Sequence, residues 1–257
     1  MSVNTSQPEA PQHDPRRLPG LLADAGRELL ATAAGLSDVA LAEPSDLPGW
    51  NRAFVIAHVE GVCRAMTRQL EFAARGETVD FYDDGHDGRN RDIERRAQRA
   101  AEEQLNTLTD AVSTAVAVFA GVTGSEWDSR ISYRDGTVRD GALALWRELV
   151  IHASDLGLRR TSLDWDSAFC HYLFEFLTAR VPAGTALKLQ PLGEQPRTLL
   201  NGSGTPARTV VVTGLLQDIA AWLAGRKPLG GLNTTAAADG VDLPELLPWP
   251  SAMAPRG

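Results

Sequence analysis

The chain has 257 residues with 25 Lys+Arg against 33 Asp+Glu, a formal net charge of −8, and an excess of that sign argues against a protein built to neutralise nucleic-acid phosphates. Its 43% hydrophobic and 23% charged residues describe a globular chain able to bury a core, with length for one large domain or two small ones. Cys63 and Cys170 are too few for a disulfide scaffold or a thiolate zinc cage, and no apolar run approaches a signal segment or the ~20 residues of a membrane span, so a cytoplasmic protein without a membrane partner is expected.

Charge divides the chain, with 18 basic and 25 acidic residues in 1–160 but 7 and 8 in 161–257. The division predicts a flexible tail over 1–16, a helical domain over 17–160 and a smaller α/β domain over 161–257. A first helix is expected over 17–41 on the stripe Leu18, Leu21, Leu22, Leu29, Leu30 and Leu36. Asn51 is a good N-cap for a second helix over 52–75, with Val55, Val59, Val62, Met66 and Leu70 facing inward and Gly76 closing it. After the loop 81–88 comes a third helix over 89–120, whose first part holds five basic and four acidic residues up to Glu103 and reads as a solvated face. Asp135-Gly136 inside 131–138 reads as a hairpin turn, and a fourth helix follows over 139–158. Beyond Arg160 the pattern changes to a helix over 167–180, strands over 186–190, 198–200 and 209–213, and a helix over 214–225. A loop-rich tail from Leu229 is expected to dock through Trp249. The fold class is α+β, an antiparallel four-helix bundle with a smaller α/β domain.

Glu148 and His152 are i and i+4, so a helix places both on one face, within reach of a single metal ion. Leu145, Leu149, Val150 and Ile151 surround the pair with apolar residues, and a buried carboxylate and imidazole need partners. His58, between Val55 and Val62, is the natural third donor. Three donors leave a fourth position for water or substrate, the pattern of catalytic zinc sites, although His/His/Glu also suits nickel and iron. The alternatives are a hydrogen-bonded Glu–His pair and a core histidine satisfied by a carbonyl. Asp155, three residues after His152, either orients that ligand or is an exposed helix-end carboxylate. Cys63 turns to another part of its helix and reads as packing, and the acidic loop 83–87 as a solvated turn.

Leu47-Pro48-Gly49-Trp50 followed by His58, then Phe81-Tyr82, Arg89 and Ile93-Glu94, then Trp146-Arg147-Glu148 with His152 and Asp155, resembles the mycothiol-dependent maleylpyruvate isomerase family. The resemblance continues through Val212-Thr213-Gly214 and Trp222-Leu223-Ala224-Gly225-Arg226. It implies a DinB-like bundle holding a divalent metal, usually zinc, through His58, Glu148 and His152, with a C-terminal α/β domain closing over the site. It further implies mycothiol as cosubstrate, held as a metal-bound thiolate, and a small-molecule electrophile. Arg226 matches a family arginine facing the active site as a catalytic guanidinium for a dicarboxylate, the alternative being a helix C-cap. Tyr82 and Arg89 occupy the loop and helix start nearest the family's pocket. The implied reaction is cis–trans isomerisation, in which the thiolate adds to a conjugated double bond, the new single bond rotates and elimination releases the trans isomer. Attack without elimination would make the chain a mycothiol S-transferase, and a non-catalytic metal-binding regulatory module is the reading from another class. Monomer and homodimer are both compatible.

Overall fold

Gly35 decides the course of the first helical segment. In the computed structural model, which describes residues 14–236 and 242–250, α1 (Leu18–Ala33) stops just before Gly35 at φ +76, a left-handed value that residues with a Cβ rarely adopt. Ser37 then caps a new short helix, α2 (Asp38–Ala42), its Oγ accepting from Ala40 N at 3.3 Å. The single helix expected over 17–41 is therefore two, because a leucine stripe cannot carry the backbone through a glycine stop and a serine cap. Of the tail expected over 1–16, residues 1–13 lie outside the described residues.

Helix α3 (Arg52–Ala73) begins at Asn51, whose Oδ1 accepts from Phe54 N at 3.0 Å, and Gly76 turns the chain away at φ +73. The helix expected over 89–120 is again two: α4 (Gly85–Ala97), which absorbs half of the expected 81–88 loop, and α5 (Ala101–Ala120). Ala100 between them is extended (φ −60, ψ 151). The break is held by a distant residue, Asp38 Oδ1, which accepts from Ala101 N at 2.6 Å and so takes up one of α5's orphan donors.

The charged run is only partly solvated. Glu60 of α3 has a side chain 1% exposed, and its carboxylate accepts from Arg64 Nε at 2.9 Å, Arg99 Nη1 at 2.8 Å and Thr107 Oγ1 at 3.0 Å, with Arg96 Nε at 3.6 Å. A buried charge needs such partners, so two arginines of the run turn inward to α3 rather than to water. Gly61 makes room for this, since a Cβ there would lie 2.7 Å from Arg96 Nη1.

The expected hairpin over 131–138 is a turn closed by one bridge, Arg130 to Thr137. Arg134 and Asp135 both take positive φ (54 and 51), which coils Tyr133–Asp135 into a single 3-10 turn instead of pairing two strands. Thr137 and Asp140 then form a capping box that starts α6 (Val138–Asp155). Helices α1 and α3 each pack against both α5 and α6, giving a four-helix bundle, while α4 lies on α3. Leu22, Leu29, Val55, Met66, Leu108, Phe119, Leu145 and Leu149 fill its centre, each contributing about 1.5–3 kcal/mol by leaving water.

This bundle belongs to a compact unit ending at Thr161, and Ser162–Ser251 form a second one. In the second, Asp166 caps α7 (Ser167–Leu177) through Phe169 N at 2.7 Å, and α7 packs against α8 (Leu216–Leu223). Four strands, β1 (Thr185–Pro191), β2 (Arg197–Leu200), β3 (Arg208–Gly214) and β4 (Asn233–Ala236), form one sheet in the order β2-β1-β3-β4. β1 and β3 are parallel, with Leu187 opposite Val210 and Leu189 opposite Val212, and both outer strands are antiparallel. β4 lies in the expected loop-rich tail: Thr234 and Thr235 pair with Val212 and Val211, completing the exposed edge of β3. Trp249 meets Phe176 at 5.8 Å between centroids. The architecture is α+β, and among the described residues no helix is long and apolar enough to cross a membrane.

Candidate metal centre

Two neighbouring helices of the bundle supply the site. Arg52 fixes their ends together, its Nε donating to Leu156 O at 2.8 Å just beyond α6 and its Nη1 to Ala40 O at 3.0 Å. With that register, His58 on α3 faces Glu148 and His152 on α6. Glu148 Oε2 lies 3.0 Å from His58 Nε2 and 3.1 Å from His152 Nε2, and the rings are perpendicular with centroids 4.8 Å apart. Both histidines are 8% exposed. Trp50 presents its ring at 5.7 Å edge-on to His58, covering it from the turn before α3.

The protonation pattern follows from the partners. Burial opposes the charge on Glu148, but hydrogen bonds from His152 and His58 outweigh it and hold the carboxyl well below its ordinary value. Burial likewise opposes charge on His152, yet the hydrogen bonds to Asp155 and Glu148 raise it to about 9. Asp155 Oδ2 sits 2.8 Å from His152 Nδ1 and the residue is 1% exposed, so this carboxylate faces the ring and not solvent. On His58 burial dominates and the pKa is lowered.

One ligand atom from each of His58, Glu148 and His152 can be chosen so that all lie within 4.8 Å of one another. Metal bonds of ~2.0–2.2 Å at tetrahedral angles would separate neighbouring donors by roughly 3.3–3.5 Å, close to the 3.0 and 3.1 Å contacts already made. Two imidazoles and a carboxylate, one imidazole backed by a buried carboxylate, fit a divalent ion of the zinc, nickel or iron type.

His58 also lines a cleft of about 140 Å³ between α3, α4 and the segment before α4, with Tyr82, Arg64, Arg89, Ile93 and Arg96 on its walls. Arg89 Nη2 is 3.1 Å from His58 Nδ1, and its guanidinium carbon is 6.0 Å from the Tyr82 ring centre. Burial pushes the Tyr82 hydroxyl up, so it remains protonated. Arg226 lies in the second unit, where Nη1 donates to Ala224 O at 2.7 Å beyond α8 and the guanidinium stands 5.5 Å from the Trp249 ring centre.

Gln69 was not singled out from sequence, although it shapes the cleft. It is 1% exposed, donates to Val79 O at 2.6 Å and accepts from Ser132 N at 2.8 Å and Tyr133 N at 3.3 Å. It thereby ties both the segment carrying Phe81 and Tyr82 and the turn at Tyr133 to α3; Phe81 meets Tyr82 edge-on at 4.6 Å and Tyr133 at a tilt at 5.0 Å between ring centres. The available signal was a polar residue next to the apolar stripe position Leu70, and the same kind of signal marked Glu60.

Residues 22–157 match the family model described as the mycothiol maleylpyruvate isomerase N-terminal domain. No curated protein sequence matches the chain. Among solved structures it is similar to the crystal structure of the mycothiol-dependent maleylpyruvate isomerase and to that of a histidine-to-alanine mutant of it. Each is 21% identical over 90% of this chain and 95% of the other, with a TM-score of 0.76. Those likenesses establish the fold, and the family match, spanning more than half of the chain, establishes that it belongs to the mycothiol maleylpyruvate isomerase N-terminal domain family.

Proposed function

We propose that the chain is a metal-dependent enzyme that uses a low-molecular-weight thiol, mycothiol, for cis–trans isomerisation of a maleylpyruvate-like electrophile. The observation that carries this reading is the convergence of His58, Glu148 and His152 from two helices beside a cleft. A divalent ion held there would lower the pKa of a thiol; for a free thiol near 8.5, only about 3% ionised at pH 7, full ionisation is a gain of roughly 30-fold.

The chain's own residues do the rest. Asp155 holds the Nδ1 proton of His152, which keeps Nε2 as the ligating atom once its proton leaves. Trp50 packs against His58 and limits water on that side. Tyr82 offers a protonated hydroxyl in the cleft wall. Neither cysteine can serve as the reacting thiol, because both are buried and burial pushes Cys63 far up and Cys170 to about 12; the nucleophile must arrive from outside. In the isomerisation its sulfur adds to a conjugated carbon, the former double bond rotates, and elimination returns the thiol unchanged. Arg226 enters this reading through the resemblance, as the guanidinium for a substrate carboxylate, and R226M is its test.

Metal content of purified His58→Ala, Glu148→Ala and His152→Ala variants tests the site: stoichiometric metal in all three would refute it. Incubation of the metal-loaded protein with mycothiol and maleylpyruvate tests the reaction. Conversion to the trans isomer is expected, while no turnover by a loaded site overturns the isomerase assignment. A stable thioether adduct in the mass spectrum would replace it with S-transfer.

A further inference from the structure

The chain carries a net charge of −8, yet the cleft beside His58 has the opposite sign, with Arg64, Arg68, Arg89 and Arg96 on its lining against Asp83 and Asp92. Three of these arginines are already paired. Arg64 Nε donates to Glu60 Oε1 at 2.9 Å, Arg68 Nη1 to Asp83 Oδ1 at 2.7 Å and Arg96 Nη2 to Asp92 Oδ2 at 3.4 Å. Both aspartates of the cleft are thereby engaged, Asp92 also by Arg95 Nη2 at 2.7 Å. Arg89 differs: among the described residues it has no carboxylate partner. Its Nη1 donates to Asn90 Oδ1 at 3.0 Å, its Nη2 lies 3.1 Å from His58 Nδ1, and its guanidinium carbon stands 6.0 Å from the Tyr82 ring centre.

A half-buried guanidinium without a counter-charge is costly, and a bound anion removes that cost. Of its five N–H donors, one meets Asn90, one His58 and one the Tyr82 hydroxyl, which leaves two, the number a bidentate carboxylate takes. The Tyr82 hydroxyl, in the same wall, can donate as well as accept. We propose that Arg89, with the Tyr82 hydroxyl beside it, holds a carboxylate of the electrophile in this cleft and so selects a carboxylate-bearing substrate. The cleft, about 140 Å³, is small against the ~300–1,000 Å³ of pockets for drug-sized ligands, which suits a short-chain acid. Because Arg89 touches His58, an acid anchored on it lies beside the three candidate ligands, and holding the reacting carbon there is what positioning contributes to rate. The inference rests on the reading of this site as that of a thiol-using enzyme and names what its cleft recognises. Arg226 enters that reading only through the resemblance, whereas Arg89 is a second cation, already on the bundle, and a dicarboxylate has two charges to meet.

The experiment uses the full chain stripped of metal and without thiol, with succinate alone as the probe, so that neither a metal–carboxylate bond nor the reaction contributes. Isothermal titration is expected to show the wild type binding succinate but not succinamide, its uncharged isostere. Arg89→Met is expected to bind succinate about 10- to 100-fold more weakly, the scale of hydrogen bonds to a charged group. Arg89→Lys, which keeps the charge without the fork, is expected to recover part of that affinity. A wild type that binds both probes alike or neither, or an Arg89→Met that binds succinate as the wild type does, overturns the proposal; so does an Arg89→Lys no better than Arg89→Met, since charge would then not be what binds. Steady-state kinetics of the metal-loaded chain separates electrophile from thiol: in Arg89→Met the KM for maleylpyruvate is expected to rise by the same factor and that for mycothiol to stay unchanged. A rise in the mycothiol KM alone overturns the assignment to the electrophile. If the loaded wild type turns nothing over while succinate binding still depends on Arg89, the isomerase reading falls and the carboxylate site stands.

Discussion

Replacing Glu60 by Gln tests whether the inward-turned arginines hold the bundle together. The substitution preserves shape and removes a charge whose side chain is 1% exposed. It weakens the bonds from Arg64 (2.9 Å), Arg99 (2.8 Å) and Thr107 (3.0 Å), and turns an amide NH₂ toward at least one guanidinium. Removing one partner of a buried ion pair costs about 3–5 kcal/mol. Arg64, with a side chain 47% exposed, can return to water, whereas Arg96 and Arg99, at 12% and 20%, cannot do so fully. The retained amide oxygen also keeps one acceptor, so a loss of about 2–3 kcal/mol is expected at pH 7, or roughly 4–12 °C in Tm. The pH dependence has a definite sign. Burial opposes ionisation of Glu60, but the hydrogen bonds from Arg64 and Thr107 and the charges of Arg96 and Arg99 outweigh it, so the folded pKa lies below the ordinary 4.5. Its contribution is therefore complete above the unfolded value and is lost as the pH falls through the folded one. Urea unfolding followed by far-UV circular dichroism should show the gap between wild type and Glu60→Gln closing below pH 4.5. A gap under about 0.5 kcal/mol at pH 7, smaller than a typical net hydrogen bond, or one that stays constant into acid, would refute the reasoning.

Gln69→Leu removes the amide that joins Val79, Ser132 and Tyr133 to α3; Val79 O keeps its bond from Ser132 Oγ, so the loss is mainly that of the acceptor for the Ser132 and Tyr133 amides and should cost about 1–3 kcal/mol, read by thermal unfolding, with faster protease cleavage in the segment before α4. Gly35→Ala meets no atom within 4 Å, so its cost is that of a left-handed alanine alone, about 1–2 kcal/mol; a neutral result would show that α1 and α2 can join into one helix. Asp155→Ala should weaken Zn²⁺ binding by about 10- to 100-fold, measured by chelator competition at pH 9, the value to which His152 is raised; an unchanged Kd would mean that Asp155 does not hold the ligand in place.

What could be read from the chain alone was local. The i, i+4 spacing of Glu148 and His152 and the cap at Asn51 depend on atoms a few residues apart, and the helix period settles which of them share a face. His58 stood out by its place between Val55 and Val62 on an inward-looking helix face, and the resemblance joined it to the same pair. The misreadings concern groups whose partners lie far away in sequence. The run after Arg89 looks solvated until buried Glu60, 36 and 39 residues before Arg96 and Arg99, draws them in. The break between α4 and α5 looks helical until Asp38 caps Ala101 across 63 residues.

Composition, helical periodicity and motif spacing by themselves determined an α+β chain with a helical first part, and pointed to His58, Glu148 and His152 as candidate donors. Only the tertiary structure decided that Glu148 lies within hydrogen-bond reach of both histidines, that Asp155 faces His152 from the interior and that Arg89 occupies the outer nitrogen of His58. The physical reason is that helix propensity and amphipathic period act over a turn or two. The partner of a buried charge is set by packing between helices far apart in the chain.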